Sequence, residues 1–151
     1  MSQNLIVYDQ DQVFVDYING VLGVKFELHN TRTVSHIRRN DDGSYTILAV
    51  VLFNNWATHH CEASIASSSP RWATWNYINA VYRYVFDNGR QRVHFVVEPH
   101  NTAAITMHKK LGHQFEGEMR DVYGEDKNGL MFAFTKRDFV SSRWYKRNRA
   151  K

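Results

Sequence analysis

Residues 92–119 read RVHFVVEPHNTAAITMHKKLGHQFEGEM, and this stretch decides the fold because several elements can be read from it together. RVHFVVE is rich in valine and phenylalanine and is closed by Pro99, which predicts a mostly buried strand. Asn101 opens a helix, since its side chain can accept a hydrogen bond from an otherwise unpaired amide of the first turn. Gly112 follows Leu111 where a C-terminal glycine belongs. A helix between Asn101 and Leu111 therefore has both ends marked. Spacings of three and four put Asn101, Ala104 and His108 along one side of it.

Working backward, PRWATWNYINAVYRYVFDNG predicts a long amphipathic helix with Pro70 in its first turn and Asn88-Gly89 as its stop. HHCEASIAS before it reads as a strand. TVSHIRR and SYTILAVVLFNNW read as an antiparallel pair, because the intervening Asn-Asp-Asp-Gly supplies the positive backbone angles of a tight hairpin. Near the start, LIVYD reads as a first strand. DQVFVDYINGVLG reads as a helix with Val13, Val15, Ile18 and Leu22 near one stripe. Forward of the opening stretch, DVYGEDKNGLMFAFTKRDF reads as a last hairpin. This order of strands and helices predicts an α/β protein, with helices packed on the faces of a mixed sheet.

At 151 residues one core is expected, burying about two-thirds of the unfolded surface. The longest apolar run, YTILAVVLF, is too short to span a bilayer and the N-terminus lacks the order of a secretion signal, so a cytoplasmic protein is expected and no membrane partner. Cys61 is the single cysteine, which excludes an internal disulfide and fits a reducing compartment. The adjacent His59 and His60 beside Cys61 are poorly spaced to close a tetrahedral zinc site, and no metal is expected. The net charge of +4 is uneven: fourteen Lys and Arg face fifteen acids as far as Ser142, after which SSRWYKRNRAK adds five bases and no acid. Residues 1–142 are thus expected to form one domain. Residues 143–151 are expected to form a basic tail, either a docking arm for nucleic acid or another anionic partner, or a solvated terminus.

The run N-T-A-A-I-T-M-H-K-K-L-G-H-Q-F-E-G from Asn101 to Gly117 resembles the signature of the GCN5-related N-acetyltransferases. In the branch that acetylates protein N-termini, polyamines and small amines, the pattern is N-x-x-A/S-x-x-x-Y-x-K-x-G-F followed by a strand with E-G. Asn101, Ala104, Lys110, Gly112, Glu116 and Gly117 match it. His108 stands at the usual tyrosine and His113 at the usual phenylalanine. The resemblance implies the acyl-CoA N-acyltransferase fold: a mixed, mainly antiparallel central sheet with flanking helices, whose strands EASIAS and RVHFVVE run parallel and splay apart. It implies acetyl-CoA as co-substrate, its pantetheine arm along Ser64, Ile65 and Ala66, its diphosphate at Ser69, Arg71, Trp72 and Ala73, and further contacts from Asn101, Ala104 and Lys110.

It also implies a base and an acid. His108 takes the place of a tyrosine that in many members protonates the departing thiolate, and an imidazole can do so near neutral pH. Glu62 is the first candidate for the base, ahead of His59, His60 and Glu98. The chain departs from the family at the phosphate loop, where Q/R-x-x-G-x-G/A is replaced by Ser67-Ser68-Ser69-Pro70-Arg71-Trp72-Ala73 with no glycine. The serine hydroxyls and the Arg71 fork are expected to compensate in part. Two classes of function stay open: an N-acetyltransferase acting on an amine of a protein, peptide or small molecule, or a weakly active or inactive binding or structural relative. Short acetyltransferase-like proteins of tailed bacteriophages share such a glycine-poor loop. A homodimer is among the expected assemblies.

Overall fold

The computed structural model describes residues 2–8 and 12–146. The chain runs β1 (Gln3–Tyr8), α1 (Gln12–Leu22), β2 (Arg32–Arg39), β3 (Tyr45–Asn54), β4 (His60–Ser67), α2 (Trp75–Phe86), β5 (Arg92–Val97), α3 (Thr102–Leu111), β6 (Gln114–Met119), β7 (Gly129–Thr135) and α4 (Lys136–Val140). The strands form one seven-stranded sheet in the order β1-β2-β3-β4-β5-β7-β6. All neighbours are antiparallel except β4 and β5.

Alternation along the strands divides the core between the two faces. Val51 and Phe53 of β3, Cys61 and Ala63 of β4, and Val93 and Phe95 of β5 pack with α2 on one face. Val50, Leu52 and Ala66 pack with Phe14, Val15 and Ile18 of α1 on the other. The stripe expected on α1 is thus shifted. Phe14 is buried, whereas Val13 and Leu22 are exposed.

Two further expectations are corrected. Helix α2 begins at Trp75 rather than at Pro70, because Thr74 is a better cap: its hydroxyl accepts from the Tyr77 amide. The last segment is not only a hairpin. After β7 the chain enters α4 through a capping box in which Thr135 accepts from the Asp138 amide and the Asp138 carboxylate accepts from the Thr135 amide.

The tail does not start as a free arm at residue 143. Trp144 is buried among core residues, and its indole N–H donates to the Leu111 carbonyl at 3.1 Å, satisfying an end of α3. Asn79 donates to the Trp144 carbonyl and the Trp75 indole to that of Arg143, each at 2.7 Å. The first residues of the expected tail are therefore part of the domain. Residues 147–151, where the rest of its charge lies, are outside the described residues.

Candidate functional site

β4 is paired along its length with β3, from Glu62 opposite Asn54 to Ser67 opposite Ala49. Against β5 it pairs only over His60–Arg92, Cys61–Val93 and Glu62–His94. Beyond that point the strands part. β5 continues against β7 up to Val97, so the facing edges of Ala63–Ser67 and Phe95–Val97 have main-chain groups turned toward one another without a shared ladder. Polar groups left in this way need a partner. Ser64, Ile65 and Ala66 lie on this edge.

Glu62 and His94 are the last paired residues before the opening, and parallel pairing puts their side chains on the same face. Glu62 Oε1 lies 3.5 Å from His94 Nε2, and its Oε2 accepts from Asn55 Nδ2 at 3.0 Å. Asn55 is held in the left-handed region at φ 51°, which asparagine tolerates better than most residues. Nε2 faces the Glu62 carboxylate, which favours the tautomer with the ring proton on Nε2. His94 Nδ1 is buried and has no hydrogen-bond partner among the described residues. An imidazole oriented by a carboxylate, with its second nitrogen unoccupied, is the arrangement of a general base.

The other base candidates are placed less well. His59 and His60 are exposed, the His60 ring standing 5.9 Å from that of His94. Glu98 is exposed and paired with His100 at 2.9 Å. Near the same face, Tyr123 donates to the Val96 carbonyl at 3.0 Å, and its phenol is pushed up by burial and by the nearby charges of Glu98 and Glu62. A bulge between Phe115 and Gly117 lets Glu116 reach Arg92 at 2.8 Å. His94, Asn55 and Tyr123 were missed in the sequence. The available signal was alternation: His94 and Glu62 are polar residues on strands whose other face is apolar.

On the opposite face of β5, α3 delivers His108. Asn101 caps the helix through the Ala104 amide at 3.1 Å, and Gly112 ends it at φ 92°. His108 is buried, 4.9 Å from the ring of Phe95 and stacked on Phe132 at 5.3 Å. Its Nδ1 is 2.8 Å from His113 Nδ1, and His113 Nε2 is bonded to the Tyr82 hydroxyl. Burial lowers His108 to about 4. His108, expected to protonate a departing thiolate, is thus an imidazole whose charged form is disfavoured by burial near neutral pH.

Lys110 is exposed and falls on the side of α3 away from Asn101 and His108, since nine residues at 100° each is half a turn off. It does not share their face. Ala104 is half-buried on that face.

The loop before α2 is closed by its own bonds. The Arg71 amide donates to the Ser69 hydroxyl, the Trp72 amide to the Ser69 carbonyl and the Thr74 amide to the Trp72 carbonyl. The Ser68 hydroxyl donates to Ile47. Trp72 is in the core, edge-on to Tyr77, with its carbonyl also bonded to His36. It offers neither ring nor amide to a ligand, which corrects its assignment. Trp75, by contrast, is half-buried. Ser69, Arg71 and Ala73 remain at the surface of the loop.

A groove of about 860 Å³ opens beside Asn55, the hydrogen-bond partner of Glu62, which forms part of its wall. It is lined by Lys25, Arg32 and Arg90 against Glu27, with Trp56 and Tyr84 as aromatic walls. The Arg90 guanidinium lies 4.8 Å from the Trp56 ring.

No family model matches the chain, and no curated protein matches its sequence. Solved structures do match. The Arabidopsis thaliana NAA60 structure in complex with acetyl-CoA superposes with a TM-score of 0.69 at 10% identity, covering 89% of this chain and 99% of that one. A chimera of the spermidine N-acetyltransferase SpeG from Vibrio cholerae gives 0.66 at 11% identity, over 91% and 99%. The ribosomal-protein-S5-alanine acetyltransferase from Vibrio fischeri gives 0.56 at 14% identity, over 70% and 63%. The chain has the acyl-CoA N-acyltransferase fold of these acetyltransferases.

Proposed function

We propose that the protein is an N-acetyltransferase that moves an acetyl group from acetyl-CoA to an amine. The observation that carries this reading is the Glu62–His94 pair at the point where β4 and β5 part. Acetyl-CoA supplies an activated acyl group as a thioester. The open edges of Ser64, Ile65 and Ala66 on β4 and of Phe95–Val97 on β5 suit its amide-rich arm. The surface of Ser69, Arg71 and Ala73 is the place for the diphosphate, near the positive end of α2. Asn101 and Ala104, in the first turn of the helix that follows β5, would add contacts to the cofactor arm.

His94, oriented by Glu62, takes the proton that the amine must shed before or as it attacks. The new C–N bond forms as the C–S bond breaks, with its electron pair leaving on sulfur. His108 acts on the opposite face of β5, where it can donate to developing negative charge. The basic lining of the groove next to Asn55 favours an amine carried by a molecule with a negative group, such as an acidic peptide, over a polycation. Release of free thiol from acetyl-CoA in the presence of acidic N-terminal peptides, compared with spermidine, tests this. Turnover with neither amine contradicts the catalytic reading.

A second reading, a binding or structural relative without turnover, is favoured by one feature: the loop before α2 spends the amides of Arg71, Trp72 and Thr74 on itself. A glycine-type cradle for phosphate is not available there.

A further inference from the structure

We infer that Tyr82 and His113 are positioning residues that lock neutral His108 in the tautomer with its proton on Nε2, making it a fixed hydrogen-bond donor rather than a proton-transferring acid. The inference follows from counting protons along one buried chain. The Tyr82 hydroxyl is bonded to His113 Nε2, and His113 Nδ1 is 2.8 Å from His108 Nδ1. All three residues are buried. Their surroundings are aromatic: Phe95 stacks on His113 with ring centres 4.5 Å apart, Phe134 lies 4.7 Å from Tyr82, and Phe132 stacks on His108.

If His113 carried its proton on Nε2, the phenolic hydrogen of Tyr82 would have no acceptor among the described residues of its apolar site, which is costly. Tyr82 therefore donates to His113 Nε2. A neutral His113 then holds its proton on Nδ1 and donates it to His108 Nδ1. A neutral His108 in turn holds its proton on Nε2. Each link fixes the next, and the chain runs one way, from phenol to His108 Nε2–H. Burial keeps both imidazoles uncharged at neutral pH, helped at His113 by the nearness of His108.

The outer end of this chain is placed to matter. His108 packs on Phe95, the first β5 residue beyond the last pair with β4. A neutral imidazole donor aimed at developing charge needs no proton of its own to give, only a direction. What the donor meets rests on the acetyl-transfer reading; the tautomer itself does not.

The experiment is long-range proton–nitrogen correlation of the full chain labelled with ¹⁵N-histidine at pH 7, with His113 identified by its contacts to the Tyr82 and Phe95 rings. The expected result is His113 protonated on Nδ1 only, the less common tautomer, and His108 protonated on Nε2 only. His113 protonated on Nε2, or either ring doubly protonated, overturns the inference whether or not turnover has been seen. In a turnover assay, Tyr82→Phe keeps the volume and is expected to lower kcat about tenfold with the acetyl-CoA KM within twofold. An unchanged kcat would make the chain purely structural.

Discussion

Two histidine clusters lie on opposite faces of β5, and their contrast explains how one strand serves two tasks. On one face His94 stands beside the Glu62 carboxylate, is half-buried, and has a buried nitrogen without a partner among the described residues. On the other, His108 and His113 are buried among phenylalanines, bonded to each other and through His113 to Tyr82. The first environment sets a carboxylate beside its ring. The second surrounds its rings with aromatic carbon and disfavours their charged form. Alternation along a strand is enough to separate them, because His94 and Phe95 are neighbours in sequence and point to opposite faces.

The largest effect is expected where the base is removed. His94→Ala should lower kcat/KM about a thousandfold, near 4 kcal/mol of barrier, and Glu62→Gln should do most of the same. Rates of thiol release by the purified variants measure it. A tenfold loss or less would show that His94 is not the base.

Next in size is the support of α3, which carries the other cluster. Trp144→Ala removes a buried indole and the donor to Leu111, and should cost about 3 kcal/mol of stability in denaturant unfolding. A loss within about 0.5 kcal/mol, typical of exposed positions, would return residue 144 to the tail.

The buried cluster should also show in the pH dependence of stability. His108 has a folded value near 4, below its ordinary value of 6.5, because burial disfavours the charged ring. The unfolded chain then binds more protons between these values. Stability is fully present above about 6.5 and is lost as the pH falls toward 4, by an amount on the order of 3 kcal/mol. His113 is shifted in the same direction, by burial first and by His108 second. Thermal unfolding followed across this range should show the fall, and a double His108→Phe, His113→Phe variant should flatten it. An equally steep fall in the double variant would place the responsible protons elsewhere.

A smaller effect separates the donor from the base. His108→Phe should slow turnover about a hundredfold with little change in acetyl-CoA affinity. An unchanged rate would leave this cluster with packing alone.

The parts of the molecule legible in the sequence are those fixed by neighbours in the chain. Asn101 and Gly112 bound α3 as read, because caps are local chemistry. The hairpin of β2 and β3 follows from its turn, with Gly43 at φ 87°. Glu62 was singled out from its place at a strand start, but its partner His94 lies on β5 and becomes adjacent only through the parallel pairing. Trp72 and Trp144 show the limit from the other side. A tryptophan in a polar loop or a basic tail reads as exposed, yet each is drawn into the core by residues far away in sequence. Pro70 misled because proline suits any first turn, while the actual start was set by Thr74. Nothing local distinguished His108 as neutral. Its value depends on Phe95 and Phe132 closing around it.

The account stands or falls on whether the opening between β4 and β5 takes acetyl-CoA. A calorimetric titration of the full chain measures this directly. The self-bonded loop before α2 predicts binding with a dissociation constant weaker than about ten micromolar, less than roughly 7 kcal/mol. No heat and no thermal shift at millimolar acetyl-CoA would contradict the acetyltransferase reading.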